Sequence, residues 1–321
     1  MNAPSFREIR LNGRLERVAA QSTLRERLSA ACRGDVLFDP ASRGRYATDA
    51  SIYQIMPIGV VAPRDEDDAR TALAVARELG APVLPRGAGS SQCGQTVGEA
   101  LIVDHSKWLN RVIAFDKEAL TATVQPGVVL DQLNAFLRPH GVWLPVDVST
   151  SAQATIGGMA GNNSCGSRSI EYGNMVHNVV GIDAILADGS EIAFGTLAQM
   201  SREGRAGELI DGLSAIGARE RDEIARIFPS VLRRVGGYNL DVFAPQSVRS
   251  YTGDGSVNLA QLLVGSEGTL AYFARVTVKL ARLPSHRVLG VVNFPSFHRR
   301  WPRRSTLSSW PRPRSSWSIA P

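Results

Sequence analysis

The sequence predicts an α+β fold, on three observations. A strand, an amphipathic helix and a second strand follow one another between Ile58 and Leu84, the order of a small parallel α/β unit. Apolar or alternating runs at 101–104, 120–125 and 179–186 read as further strands. Two glycine-rich segments, 85–94 and 145–174, interrupt this pattern, and the second is too long for a simple turn.

Along the chain, residues 12–33 space Leu and Ala at helical intervals among many arginines, which predicts one or two surface helices. Ile58 to Val61 reads as a short strand closed by Pro63. The acidic run Asp65 to Asp68 opens a helix over 66–79, where negative groups complement the helix dipole. Gly80 ends it, and Val83-Leu84 begins the next strand. After the strands at 101–104 and 120–125, Pro126-Gly127 introduces a helix over 128–138 that Gly141 closes. The run 179–186 ends at the hairpin-type turn Asp188-Gly189. Residues 206–235 read as helical, and 261–264 and 271–280, on either side of a GSEGT turn, read as the last two strands.

The chain has 321 residues, 44% hydrophobic and 21% charged, an ordinary composition for a globular protein. No run approaches the roughly 18 apolar residues of a membrane span. The N-terminal stretch lacks the apolar core of a secretory signal, so a cytoplasmic location is expected. Cys32, Cys93 and Cys165 form no CxxC pair, which argues against a disulfide framework, a metal site or an iron–sulfur cluster in this chain. Of 36 basic residues, eight are arginines within 281–321, a stretch with no acidic residue; positions 1–280 carry 28 basic against 30 acidic side chains. The basicity is therefore local to the C-terminal end, and a nucleic-acid-binding face is not expected.

From Phe297 the pattern changes: the stretch from there to Pro321 holds three of the five tryptophans and four of the 17 prolines, with neither helical nor strand period. A disordered basic tail, a binding tail for acidic surfaces and an out-of-frame end are the three readings, the last favoured because misread GC-rich DNA yields Arg, Ser, Pro and Trp.

The segment PRGAGSSQCG (85–94) has the composition of an anion-binding loop. Glycines let successive N–H groups converge on an anion, and Ser90 and Ser91 add hydroxyls. Its G-x-G-x-x-x-x-G spacing differs from a Rossmann turn, no long helix follows, and the GK[ST] of a P-loop is absent. A diphosphate site and a structural glycine turn both fit this loop alone. The second segment, PVDVSTSAQATIGGMAGNNSCGSRSIEYGN (145–174), repeats the chemistry with Gly157, Gly158 and Gly161 among small hydroxyl residues. Two such segments separated by a strand–helix unit point to a long ligand lying between two lobes.

These two segments, with VVGIDAILADG (179–189), GGYNLD (236–241) and GSEGTL (265–270), resemble the FAD-binding domain of the vanillyl-alcohol-oxidase/PCMH superfamily. Within it, the wording is most similar to the glycolate-oxidase-subunit and D-lactate/D-2-hydroxyglutarate dehydrogenase group, over about 45–296. The resemblance implies a PCMH-type fold of two α/β subdomains with FAD between them. It implies three regions: an N-terminal helical extension (1–44), the FAD-binding domain (45–285), and the start of a truncated cap domain with the aberrant tail (286–321). Pro85, Arg86, Gly87, Ala88, Gly89, Ser90 and Ser91 would surround the FAD diphosphate. Asp147, Ser149, Ile156, Gly157, Gly158, Asn163 and Gly166 would line the rest of the cofactor, with Ile182 at the adenine end through its backbone. Glu267 would support the adjoining loop, or merely cap a turn. Relatives that link FAD covalently do so at positions that here are Ser90 and Ser151, so non-covalent FAD is implied.

The implied reaction is oxidation of a D-2-hydroxy acid by hydride transfer to flavin N5, with electrons passed to an acceptor protein or an iron–sulfur domain or subunit. No catalytic residue is assigned: His105, His140 and His177 are scattered and read as structural, and the base is expected in a substrate domain beyond about residue 297. Three alternatives stand beside this reading. They are an inactive FAD-binding remnant, a subunit completed by a separate cap or iron–sulfur protein, and a flavoenzyme of the UDP-sugar enolpyruvyl reductase kind, whose catalytic serine and glutamate are not found.

Overall fold

A computed structural model describes residues 14–286. The expectations for the cap start beyond 286 and for the basic tail lie outside the described residues.

The first lobe is built on a four-stranded sheet in the order β1 (Asp35–Leu37), β2 (Gly59–Ala62), β4 (Leu101–Asp104), β3 (Val83–Arg86). Strands β2, β4 and β3 run parallel, and β1 is antiparallel to β2. Helix α3 (Glu66–Glu78) makes the crossover between β2 and β3, as the sequence predicts. Its Asp65 N-cap accepts from the Asp68 N–H at 3.0 Å, and three acids fill its first turn. Helix α1 (Arg14–Ala31) is a single helix, within the expectation of one or two, but it does not lie wholly on the surface: its Leu24 and Leu28 are fully buried. Strand β1 precedes residue 45 yet belongs to the first sheet, so the folded lobe begins earlier than the resemblance implies. A short helix, α2 (Pro40–Arg45), joins β1 to the following loop.

The second lobe is a five-stranded antiparallel sheet in the order β5 (Val112–Asp116), β6 (Thr121–Val124), β10 (Tyr272–Lys279), β8 (Val179–Ile185), β9 (Glu191–Phe194). On it pack α4 (Leu130–Leu137) and α5 (Ile156–Asn162), with short turns α6 (Ser169–Tyr172) and α7 (Met175–Asn178) inside the long glycine-rich segment. Its core includes Val124, Leu133, Leu144, Ile156 and Val276, all fully buried. A small ladder pairs β7 (Val142–Trp143) with β11 (Ala281–Arg282).

Helix α3 joins the lobes. Its Ala69, Ala72 and Ala76 share one core with Leu101 and Val103 of β4 and with Ile185, Tyr272 and Ala274 of the second sheet. Alanines on this face let the helix approach both sheets closely. Glu66 at its start bonds Arg275 at 2.8 Å and Gln125 at 3.0 Å, pinning it to β10.

Two segments differ from the sequence reading. Residues 206–235 split into α8 (Gly204–Arg219) and α9 (Arg221–Ile227), and 228–235 is irregular, with Pro229 interrupting it. Residues 261–264, read as a strand, fall in a helical turn, α10 (Ala260–Leu263). The Asn258 side chain takes the Ala260 N–H at 2.9 Å, and buried Gln261 donates to Tyr251 O at 3.1 Å. An apolar run of four residues does not tell strand from helix by period, and these side-chain bonds decide it.

Candidate functional site

The first glycine-rich loop leaves β3 at Arg86, and Gly89 (φ +65°) takes a left-handed conformation that a side chain rarely adopts. Along this turn the backbone N–H groups of Gly87, Ala88, Gly89, Ser90 and Ser91 find no acceptor among the described residues. Such a row of unpaired donors is what an anion-receiving nest requires.

Facing it is the start of α5. Thr155 is the N-cap, its hydroxyl accepting from the Gly158 N–H at 3.3 Å. A Cβ on Gly87 would overlap Thr155 Oγ1, so the two glycine-rich segments meet in direct contact. Between them opens a cleft of about 470 Å³, within the size range of small-molecule and cofactor sites.

Most of the positions implied from sequence line this cleft: the whole run Pro85 to Ser91, then Ser149, Gly157, Gly158 and Glu267. The others lie outside its lining. Asp147 holds the next turn, accepting from Arg168 N–H at 2.9 Å and Ser167 Oγ at 2.6 Å, and Gly166 packs against its backbone. Ile156 and Ile182 are core residues of α5 and β8. Asn163 is fully buried in a left-handed conformation at the end of α5; it accepts from Val176 N–H at 3.0 Å and donates to Arg234 O at 3.3 Å. Asn162 lines the cleft, whereas Arg168 stacks on Trp143 at 4.8 Å.

The GSEGT turn closes one side. Glu267 (φ +52°) donates its N–H to Gly161 O at 3.0 Å, and its carboxylate accepts from Asn162 Nδ2 at 2.9 Å and Gln95 Nε2 at 3.3 Å. Gln95 also bonds Ser91, so one carboxylate ties the first loop to the end of α5. Glu267 thus does more than cap its own turn. Sequence reasoning misses Gln95, because a glutamine just beyond the glycines carries no motif of its own.

The sequence reads His105 as structural, yet it lines the cleft floor. Burial pushes its pKa down to about 4, against the opposing pull of Asp104, so the ring is neutral. Its Nε2 has no partner among the described residues, and the ring meets Tyr272 edge-on at 5.0 Å. Cys93 and Cys165 also line the cleft, one from each glycine-rich segment. Among the described residues there is no cluster of His, Cys, Asp and Glu able to hold a metal, and no helix long and apolar enough to cross a membrane.

Residues 57–195 match the family described as FAD binding domain. The chain is 32% identical over 277 residues to a D-2-hydroxyglutarate dehydrogenase of Pseudomonas putida, covering 83% of this chain and 26% of that protein. It is 40% identical over 252 residues to the glycolate oxidase subunit GlcD of Bacillus subtilis, covering 77% of this chain and 42% of that one. The chain thus spans between about a quarter and two fifths of these curated relatives. Among solved structures, an alkyldihydroxyacetonephosphate synthase superposes with a TM-score of 0.55 at 17% identity, over 88% of this chain and 45% of the other. A Physcomitrella patens BBE-like 1 variant matches with a TM-score of 0.55 at 15% identity, over 81% of this chain and 44% of that one. These two likenesses concern the fold. Residues 57–195 therefore match the FAD-binding-domain family, on an α+β fold of the PCMH type that the sequence motifs imply.

Proposed function

We propose that this chain binds FAD non-covalently in the cleft between its two glycine-rich segments, as the cofactor-bearing part of an oxidoreductase acting on a D-2-hydroxy acid. One observation carries the cofactor half: the five unpaired N–H groups of Gly87 to Ser91 line a cleft whose opposite wall is a helix N-terminus. A diphosphate supplies the acceptors these donors lack. The hydroxyls of Ser90, Ser149 and Thr150, also on the cleft and without hydrogen bonds among the described residues, suit the polar parts of a dinucleotide. Where Ile182, Asp147 and Gly166 contribute, they do so through backbone or by shaping the wall. We read 45–285 as the core of the cofactor unit, extended at its start by β1 and α2.

Bound FAD supplies a two-electron acceptor for the C2–H of the hydroxy acid. The protein's part is to fix the cofactor, exclude water and hold a base for the substrate hydroxyl. The cleft lining contains one carboxylate, Glu267, already engaged by two amides, and one histidine, His105, buried and neutral. This favours a second reading, in which the base and the substrate pocket come from a separate cap segment or subunit, and electrons leave to an acceptor protein or iron–sulfur partner. The similarity to D-2-hydroxyglutarate dehydrogenases and GlcD supports D-2-hydroxyglutarate, glycolate or D-lactate as the substrate class. Three free cysteines agree with a cytoplasmic setting.

Purified protein should show a flavin absorption spectrum, as isolated or after adding FAD; protein that stays colourless sinks the cofactor reading. Dye reduction with D-lactate, D-2-hydroxyglutarate or glycolate then separates the two readings of turnover. Activity from the chain alone places the base within it, and activity only on adding a cap-bearing partner supports the second.

A further inference from the structure

Arg86, at the end of β3, is only 8% exposed. Buried arginines usually stand against a carboxylate. This one donates instead to three backbone carbonyls: Nη1 to Tyr46 O at 2.9 Å and Thr96 O at 3.0 Å, Nη2 to Thr48 O at 2.7 Å. Asp104 and Asp49 stand near enough to favour its charge but are bonded elsewhere, to Tyr46 Oη at 2.6 Å and Thr96 Oγ1 at 2.9 Å.

Those carbonyls have a telling arrangement. Thr96 lies just beyond the glycine-rich loop and Arg86 just before it, so the fork closes the loop at its base. Tyr46 and Thr48 belong to the segment between α2 and β2, to which the loop tip is also tied by Ala50 N–H donating to Gly89 O at 3.2 Å. Gly89 lies directly on the guanidinium: a Cβ there would stand 2.5 Å from Nη2. With the loop drawn onto the fork, the N–H groups of 87–91 are left without protein acceptors.

We propose that Arg86 is the positioning residue of the diphosphate site: it acts through the loop, whose shape its fork maintains, and its charge alone does not suffice. The proposal rests on the FAD reading above and refines it. Lysine keeps the charge but lacks a planar fork that spans three separated carbonyls. Arg86→Lys therefore separates shape from charge.

The test compares wild type, Arg86→Lys and Arg86→Met, with Gly89→Ala as a variant that disturbs the loop while keeping the arginine. Leu24→Ala in α1, fully buried and outside the cleft, controls for lost stability. FAD affinity is read by flavin fluorescence, and hydrogen exchange of the Ala50 amide reports the loop without FAD. Arg86→Lys and Gly89→Ala should each weaken FAD binding at least tenfold, and both should speed Ala50 exchange. Leu24→Ala should lower the melting temperature with FAD affinity within twofold of wild type. FAD affinity within twofold for Arg86→Lys overturns the assignment, as does an equal loss in Leu24→Ala. Wild type that takes up no FAD overturns the cofactor reading instead, while Ala50 exchange still decides whether Arg86 orders the loop.

Discussion

Gly87 shows how little space separates the two glycine-rich segments. Any side chain there would collide with Thr155 Oγ1, so the loop and the N-cap of α5 must part to admit it. Overpacking of this kind costs about 1–3 kcal/mol, and here the displaced atoms are the donors of the nest. Gly87→Ala should weaken FAD binding about tenfold or more, measured by fluorescence titration; unchanged affinity would mean that the loop does not hold the cofactor. The need for glycine at 87 and 89 is readable from the sequence as an anion-binding composition. The Gln95–Glu267–Asn162 contacts are not, because they join residues as many as 172 positions apart.

Helix α5 is short and glycine-rich, with Gly157, Gly158 and Gly161 among its seven residues, so its intrinsic stability is low. Its N-cap and its packing hold it. Thr155→Ala should cost about 1 kcal/mol in thermal or denaturant unfolding through the lost cap. It also removes the atom that Gly87→Ala strikes. The double variant should therefore be more stable than the sum of the single losses predicts, a coupling that a double-mutant cycle measures. Additive losses would show that the contact is not the source of the Gly87 effect. The same dependence on neighbours explains the errors at element level. Helix α3 declares itself through its cap, acidic first turn and apolar face, whereas α10 owes its turn to Asn258 and Gln261, and α5 hides inside a segment that reads as loop.

Across the whole molecule, two buried histidines make stability depend on pH. Burial brings His105 and His177 from an ordinary 6.5 to about 4, and at His177 the nearby Arg249 charge adds to the effect. The unfolded chain then binds protons that the folded chain does not, so stability is full above pH 6.5 and falls as pH drops toward 4. At pH 5 each ring accounts for about 2 kcal/mol of loss, and together they should lower the melting temperature by roughly 10 °C relative to pH 7. His105→Gln should shrink that pH-dependent drop by about half, followed by thermal unfolding across the range. An identical drop in the variant would place the titrating groups elsewhere. Because His105 lines the cleft, about half of this sensitivity belongs to the region proposed to receive the cofactor.

The parallel unit around α3 and the two glycine-rich segments were legible in the amino-acid order, since each rests on local chemistry: caps, apolar period, and glycines where backbone must approach a ligand. The cofactor class followed only from the resemblance of those segments to a known family. Which of those residues face the cleft was not legible. That depends on α3 filling the space between two sheets, on Glu267 reaching back to Gln95 and Asn162, and on Arg86 bonding the distant carbonyls of Tyr46 and Thr48. Contacts of such separation leave no period or motif behind, and only the packed chain brings them within bonding distance.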